Sequence, residues 1–361
     1  MIYLDYQATT PLAPQAFDAM LPWLRDGFAN PHSPHRPGRA AKAAVEIARD
    51  EIARLLPFGG RVSLTSGATE ALNWAIKGTS GGIVTLATEH AAVLDTAAAE
   101  AARGRSVTVL PVAPDGLVDL EAARAAIVPG TGLVAAMLVN NEIGVVQPVA
   151  ALAEMAQKVG AVMLCDAVQA YGRVPIPDTV DLVAVSAHKV HGPKGIGALW
   201  RRDGVALTPL LHGGYQEDGR SGTLSPALCA GFGAAARLMR ERRVEDAAHI
   251  ELLWQLATEQ LRDWTINGAI DPRYHGNVNV RHDGLDVNRL MSDLRDLAFS
   301  AGSACASGSG RASHVLRAIG LSEREARSSI RLGFGRYTTE AEVRDGVARI
   351  VAAARVQRIA A

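Results

Sequence analysis

The sequence predicts an α/β fold, with a large doubly wound and mostly parallel sheet domain followed by a smaller α+β domain. Three observations carry this expectation. From about residue 38, amphipathic helical segments alternate with short apolar runs. Those runs are apolar at nearly every position, as in Leu133-Val134-Ala135-Ala136-Met137-Leu138-Val139, which suits strands covered on both faces. The 361-residue length also exceeds what one small core accommodates.

In chain order, residues 38–56 carry helical periodicity, 61–65 read as a strand, and 67–77 as a helix. Further strands are expected at 82–87, 106–110, 133–139, 161–165, 181–186 and 196–200, with helices at 91–103, 119–127 and 149–159 between them. After His212-Gly213-Gly214 and the loop at 219–223, a helix-rich stretch runs from about Pro226 to Asp263. Its charge-alternating portion, 237–243, reads as a solvated helix face. Strands at 277–281 and 329–334 and helices at 287–294 and 339–354 then form a separate unit. The change of pattern divides the chain into a large domain at 15–245 and a small domain made of 1–14 with 246–361. The Gly-, Ser- and Ala-rich stretch 301–310 reads as a mobile loop before a helix at about Ser313.

Composition excludes several classes. Basic and acidic residues each number 37, so the formal charge is zero, and no basic tract points to nucleic acid or an anionic membrane. No apolar run approaches the ~20 residues that span a bilayer, and the start Met1-Ile2-Tyr3-Leu4-Asp5 has no secretory pattern. Cys165, Cys229 and Cys305 lie far apart without a C-x-x-C pair, which argues against a disulfide framework or structural zinc. A reducing cytoplasm is the expected setting. His32 and His35 form an H-x-x-H pair in a proline-rich loop and read as structural.

Chemistry is expected at the carboxyl ends of the strands. Of only five lysines, Lys42, Lys77 and Lys158 read as solvated, whereas Lys189 follows a strand and precedes the turn Gly192-Pro193-Lys194-Gly195. A lysine there can lose hydration and condense with an aldehyde, for which pyridoxal 5′-phosphate is the obvious cofactor. The pyridine nitrogen of that cofactor needs a carboxylate, and Asp166 follows the preceding strand. Acids and lysines at strand ends are common, so the pair alone leaves the chemistry open. Thr65-Ser66-Gly67-Ala68-Thr69-Glu70 is a strand, a Gly turn and a helix start, which offers amides to a phosphate or is simply a capped helix. No P-loop is present.

Six ordered motifs carry a resemblance: Ser66-Gly67-Ala68-Thr69-Glu70, Asn140-Asn141-Glu142-Ile143-Gly144, Asp166-Ala167-Val168-Gln169, Ser186-Ala187-His188-Lys189, Arg220-Ser221-Gly222-Thr223 and Gly302-Ser303-Ala304-Cys305. Taken in order along nearly the whole chain, they resemble the cysteine desulfurase family (NifS/IscS type), class-V aminotransferase-like enzymes of pyridoxal phosphate fold type I. The resemblance implies Lys189 as the cofactor-bearing lysine and Asp166 as the pyridinium partner. It places Ala68, Thr69, Ser186 and His188 on the phosphate, with Thr223 arriving from the second subunit of a homodimer. Asn141 and Gln169 would meet the ring's 3-oxygen side, and His90 would stack on the ring and shuttle protons; without the family, His90 reads as a helix-start residue. Arg331, assisted by Asn30, would bind the substrate carboxylate.

The resemblance makes Cys305 the sulfur acceptor; on the residues alone that role stays open, although Cys165 in an apolar strand and Cys229 beside Ala and Gly read as inert core thiols. The implied reaction converts L-cysteine to L-alanine and leaves a persulfide on Cys305. An acceptor protein then takes the sulfur toward iron–sulfur clusters or thiolated RNA bases. Transient iron–sulfur ligation at Cys305 is a weaker implication, since one thiolate is a poor cluster site. Rival readings are a selenocysteine lyase or cysteine sulfinate-active relative, a non-catalytic sulfur-pathway scaffold, and a transaminase. Gln7 departs from the small residue or Asn of many relatives, without an evident consequence for the chemistry, and no Pro precedes Ser313 in the cysteine loop. The short tail after Tyr337 leaves docking of a cluster scaffold open.

Overall fold

The computed structural model describes residues 1–214, 216–301 and 312–359. Its main sheet has seven strands in the spatial order Gly60–Thr65, Gly197–Arg202, Leu182–Ser186, Val162–Asp166, Thr131–Met137, Gly82–Leu86 and Val107–Leu110. Five neighbouring strands run parallel, and Gly197–Arg202 runs antiparallel to both of its neighbours. All seven strands expected from the apolar runs are present, with ends shifted by a residue or two. The strand Thr131–Met137 is buried along nearly its whole length, as its unbroken apolar pattern requires for a sheet covered on both faces.

Helices close both faces. Pro226–Glu241 packs on Pro14–Arg25 and Arg36–Ala53. Its Phe232 is fully buried and meets Tyr171 edge-on at 6.2 Å. Burial of such a ring contributes about 1.5–3 kcal/mol. Pro226 opens its helix behind a Ser225 cap, where a missing N–H costs nothing. His35 plays a similar capping part, its Nδ1 accepting from Gly38 N at 3.2 Å. The helix Pro14–Arg25 lies ahead of the periodic pattern and was not expected, because Pro22 interrupts its run.

A second core gathers Leu4 with Leu253, Leu290, Ile330 and Val347. It lies against a four-stranded sheet in the order Ser300–Ala301, Ser329–Gly333, Asn277–Arg281 and Thr265–Ile266. The terminal helix Glu340–Ile359 packs on Arg243–Gln260. Short edge strands such as Thr265–Ile266 escaped the sequence expectation, since two residues show no periodicity.

Register brings the strand ends together. Met137 pairs with Asp166, and Asp166 with Ala184, so the loops leaving three parallel strands open side by side. Thr65 and Ser186 both pair with Gly197, which brings the turn after Thr65 to the same edge. A Cβ on Gly197 would fall 2.7 Å from Gly67 Cα and 2.5 Å from Val185 O, so only glycine permits this approach.

Candidate active site

A cavity of about 530 Å³ opens at these strand ends. Ala68, Thr69, His90, Asn141, Asp166, Gln169, Ser186, His188, Lys189 and Arg331 all line it. Ten residues singled out from separate sequence motifs thus meet in one place. Lys189 ends the short 3-10 turn Ala187–Lys189, which follows directly from the strand Leu182–Ser186. Its Nζ donates to the main-chain carbonyls of Gln7 at 2.6 Å and Ala8 at 2.7 Å.

Asp166 is the last residue of its strand and is buried. Burial pushes its carboxyl above the usual range, opposed by the Val168 amide at 2.9 Å and by the charges of His90 and Lys189. An anion so placed gains most from a cation in the cavity. Beside it, Glu89 is wholly buried, and burial together with the Asp166 charge lifts its carboxyl well above the ordinary range. Its Oε1 accepts from Met137 N at 2.7 Å, while Oε2 has no partner. Burial is the larger of the two causes, and both favour the protonated form of Glu89.

His90 combines both readings considered for it. It caps the helix Ala91–Ala101 through Nδ1, which accepts from Ala92 N at 3.0 Å, and its ring lines the cavity. That bond requires a bare Nδ1, so the neutral ring carries its proton on Nε2. Gln169 Nε2 donates to Gln7 O at 3.0 Å. Gln7 meets the site through its main chain. Its carbonyl holds both Lys189 and Gln169, and its side chain is buried, donating to Gly276 O at 2.8 Å.

The helix Ala68–Gly78 starts behind Gly67 with no side-chain cap, so Ser66 and Thr69 do not satisfy its first amides. Ser66 N donates instead to Glu70 Oε2 at 2.7 Å. Against the raising effect of burial, hydrogen bonds from Arg220 and Ser66 hold Glu70 below the usual carboxylate range. Ser186 Oγ and His188 Nδ1 are 2.9 Å apart. Burial first, then the charges of Lys189 and Lys194, bring His188 down to about 4, so its ring is neutral at pH 7.

Arg331 is 1% exposed. Its NH2 donates to Asp5 Oδ1 at 2.8 Å and Ser300 Oγ at 3.1 Å, and its NH1 to Asn141 O at 3.0 Å. Its Nε, also buried, has no partner. A buried donor left open in a cavity wall calls for an acceptor on the ligand.

Two expected residues are not gathered there. Asn30 is exposed, its Oδ1 accepting from His32 N at 2.9 Å. Thr223 is exposed at the end of a loop anchored by Arg220 on Glu70 at 2.7 Å. Cys305 lies outside the described residues. The other two thiols are fully buried, and burial pushes Cys229 up to about 12 and Cys165 well above its ordinary value. Sequence reasoning missed Asp5, Ser300 and Glu89. Only Glu89 carried a signal, as an acid just beyond an apolar strand.

Pyridoxal phosphate fits this donor set. The uncapped helix start offers amides to a dianion, Ser186 and His188 stand beside it, and the buried Asp166, raised by burial, gains from a protonated ring nitrogen.

The Aminotransferase class-V family model matches residues 2–345. Cysteine desulfurase IscS of Rickettsia bellii (strain OSU 85-389) is 42% identical, the match covering 95% of this chain and 88% of that protein. A solved NifS-like protein superposes with a TM-score of 0.90 at 31% identity, covering 98% of this chain and 99% of the other. SspA, solved in complex with cysteine, superposes with a TM-score of 0.83 at 34% identity, over 94% of this chain and all (100%) of the other. A lysine and a buried aspartate in one cavity, on this fold and at this level of identity, place the chain in the class-V aminotransferase family, among its pyridoxal phosphate-dependent cysteine desulfurases.

Proposed function

We propose that the protein removes sulfur from L-cysteine, releasing L-alanine and passing the sulfur through Cys305 to an acceptor protein. The observation that carries this reading is the convergence of Lys189, Asp166, His90 and Arg331 on one cavity. Bound there, pyridoxal phosphate supplies an aldehyde for an amine and an electron sink that acidifies the Cα–H of an amino acid.

This chain's own residues do the rest. Lys189 holds the cofactor and then moves the Cα proton as its amine becomes free. Asp166, ionised by a cationic partner, keeps a proton on the ring nitrogen. Ala68, Thr69, Ser186 and His188 hold the phosphate, and Asn141 and Gln169 orient the ring's 3-oxygen edge. His90 covers the ring and exchanges protons at Nε2, its only N–H in the capped state. The open Nε of Arg331 receives the substrate carboxylate, with its other nitrogens already fixed by Asp5, Ser300 and Asn141. The Cys305 thiolate attacks the substrate sulfur. The S–S bond forms as the Cβ–S bond breaks, and the carbon fragment takes up a proton at Cβ and regains one at Cα to leave as alanine.

Exposure of Thr223, on a loop rooted at the rim of the phosphate cradle, supports its reaching the cavity of a second copy in a homodimer. Asn30 would assist Arg331 only after movement of its loop. The separate cores around Val183 and around Leu332 support a large domain at 15–245 and a small one at 1–14 with 246–361. No helix among the described residues is long and apolar enough to cross a membrane. An iron–sulfur assembly pathway is the proposed destination of the sulfur.

Purified protein loaded with pyridoxal phosphate should release alanine and, with a reductant, sulfide in equal amounts from L-cysteine. Absence of both products sinks the reading. Arg331→Lys keeps a charge for Asp5 but loses the open Nε, so KM for L-cysteine should rise about tenfold or more with a smaller change in kcat. Unaltered KM would remove Arg331 from carboxylate binding.

A further inference from the structure

A second cavity, of about 220 Å³, adjoins the main chain behind Lys189. Arg173 in its wall donates through NH2 to Lys189 O, and His191 borders it. Four arginines, Arg173, Arg243, Arg273 and Arg336, face two carboxylates, Asp246 and Glu251. Both carboxylates are already engaged. Asp246 accepts from Arg336 NH2 at 2.5 Å and has Arg242 at 3.6 Å, while Glu251 meets His275 Nδ1 at 2.6 Å. Among the described residues, no carboxylate lies within 4.0 Å of Arg173, Arg243 or Arg273.

Arg273 is 9% exposed. Its Nε donates to Ala269 O at 2.7 Å and its NH2 to Asn267 O at 2.5 Å, but its buried NH1 has no partner. Arg336, with a side chain 5% exposed, likewise leaves NH1 open. The Trp254 ring, 5.5 Å from the Arg273 guanidinium, compensates the buried charge only in part. Burial pulls Arg273 down to about 10 with no opposing acid. The same excess of charge reaches His191, held at about 3 by burial first and then by Arg336 and Arg173.

We propose that this cavity is a second ligand site for a small, multiply charged oxyanion of the phosphate class, held by the arginines of its wall, with Arg273 and Arg336 turning their unpartnered NH1 groups toward it on binding. Guanidinium groups match such oxygens two at a time. The volume falls below the ~300–1,000 Å³ of sites for drug-sized ligands, so the charged group itself fills it. The site stands apart from the cysteine chemistry and does not depend on it.

Calorimetric titration of the pyridoxal phosphate-loaded enzyme with inorganic phosphate tests this, in chloride buffer of matched ionic strength. The loaded enzyme keeps its cofactor cradle filled, so heat from that cradle does not intrude. One saturable event per chain is expected. Arg243→Gln, an exposed side chain in the cavity wall, should weaken it about tenfold, and Arg273→Met should abolish it. Absence of saturable heat overturns the proposal, as does unchanged affinity in Arg243→Gln, a variant whose folding is not at stake.

Discussion

Lys189→Ala protein should turn over L-cysteine at least about 10⁴-fold more slowly than the wild type and lose the absorbance band of bound pyridoxal phosphate. One substitution removes both the covalent anchor and the base. Lys194 also borders the cavity, but it is exposed, whereas Lys189 reaches the Asp166 field and is clasped by two carbonyls. Lys194→Ala should therefore keep the band. A spectrum after gel filtration, with alanine measured alongside, decides between the two lysines. Turnover surviving in Lys189→Ala would end the assignment of that lysine.

Cys305→Ser should leave the absorbance band intact while sulfide release falls by roughly 10³-fold or more. A hydroxyl cannot carry sulfane sulfur. Neither remaining thiol can substitute, because Cys165 and Cys229 are both fully buried with raised pKa values. Sulfide at the wild-type rate would show that the sulfur never passes through residue 305.

The sheet was legible because burial on both faces writes itself as unbroken apolar runs, and the seven strands appear where those runs lie. Lys189, Asp166 and Ser186 were legible for a related reason, since each sits where such a run stops. Residues tied to the site from elsewhere in the chain were not. Asp5 stands in an extended start without periodicity, yet it holds Arg331, far off in sequence, at 2.8 Å. Ser300 does so from a two-residue strand. Gln7 acts largely through its carbonyl, which every residue type possesses. Glu89 could have been suspected from its place beside His90, but its raised carboxyl comes first from burial and then from Asp166 on another strand, and neither is written in linear order.

The clasp on Lys189 has a mechanical side. Gln7 and Ala8 belong to the segment whose Leu4 is stitched to Ala298 and Gly333 at 2.8 Å each, inside the smaller core. The ammonium group itself hangs from the larger sheet. Two contacts of 2.6 and 2.7 Å thus tie the first residues of the chain to the turn after Leu182–Ser186, and a relative slip of about one ångström would break both. The reactive amine is thus one of several pocket contacts, with Gln169 on the same Gln7 carbonyl and Arg331 on Asn141 O, that lash the first residues and the smaller core to the larger sheet.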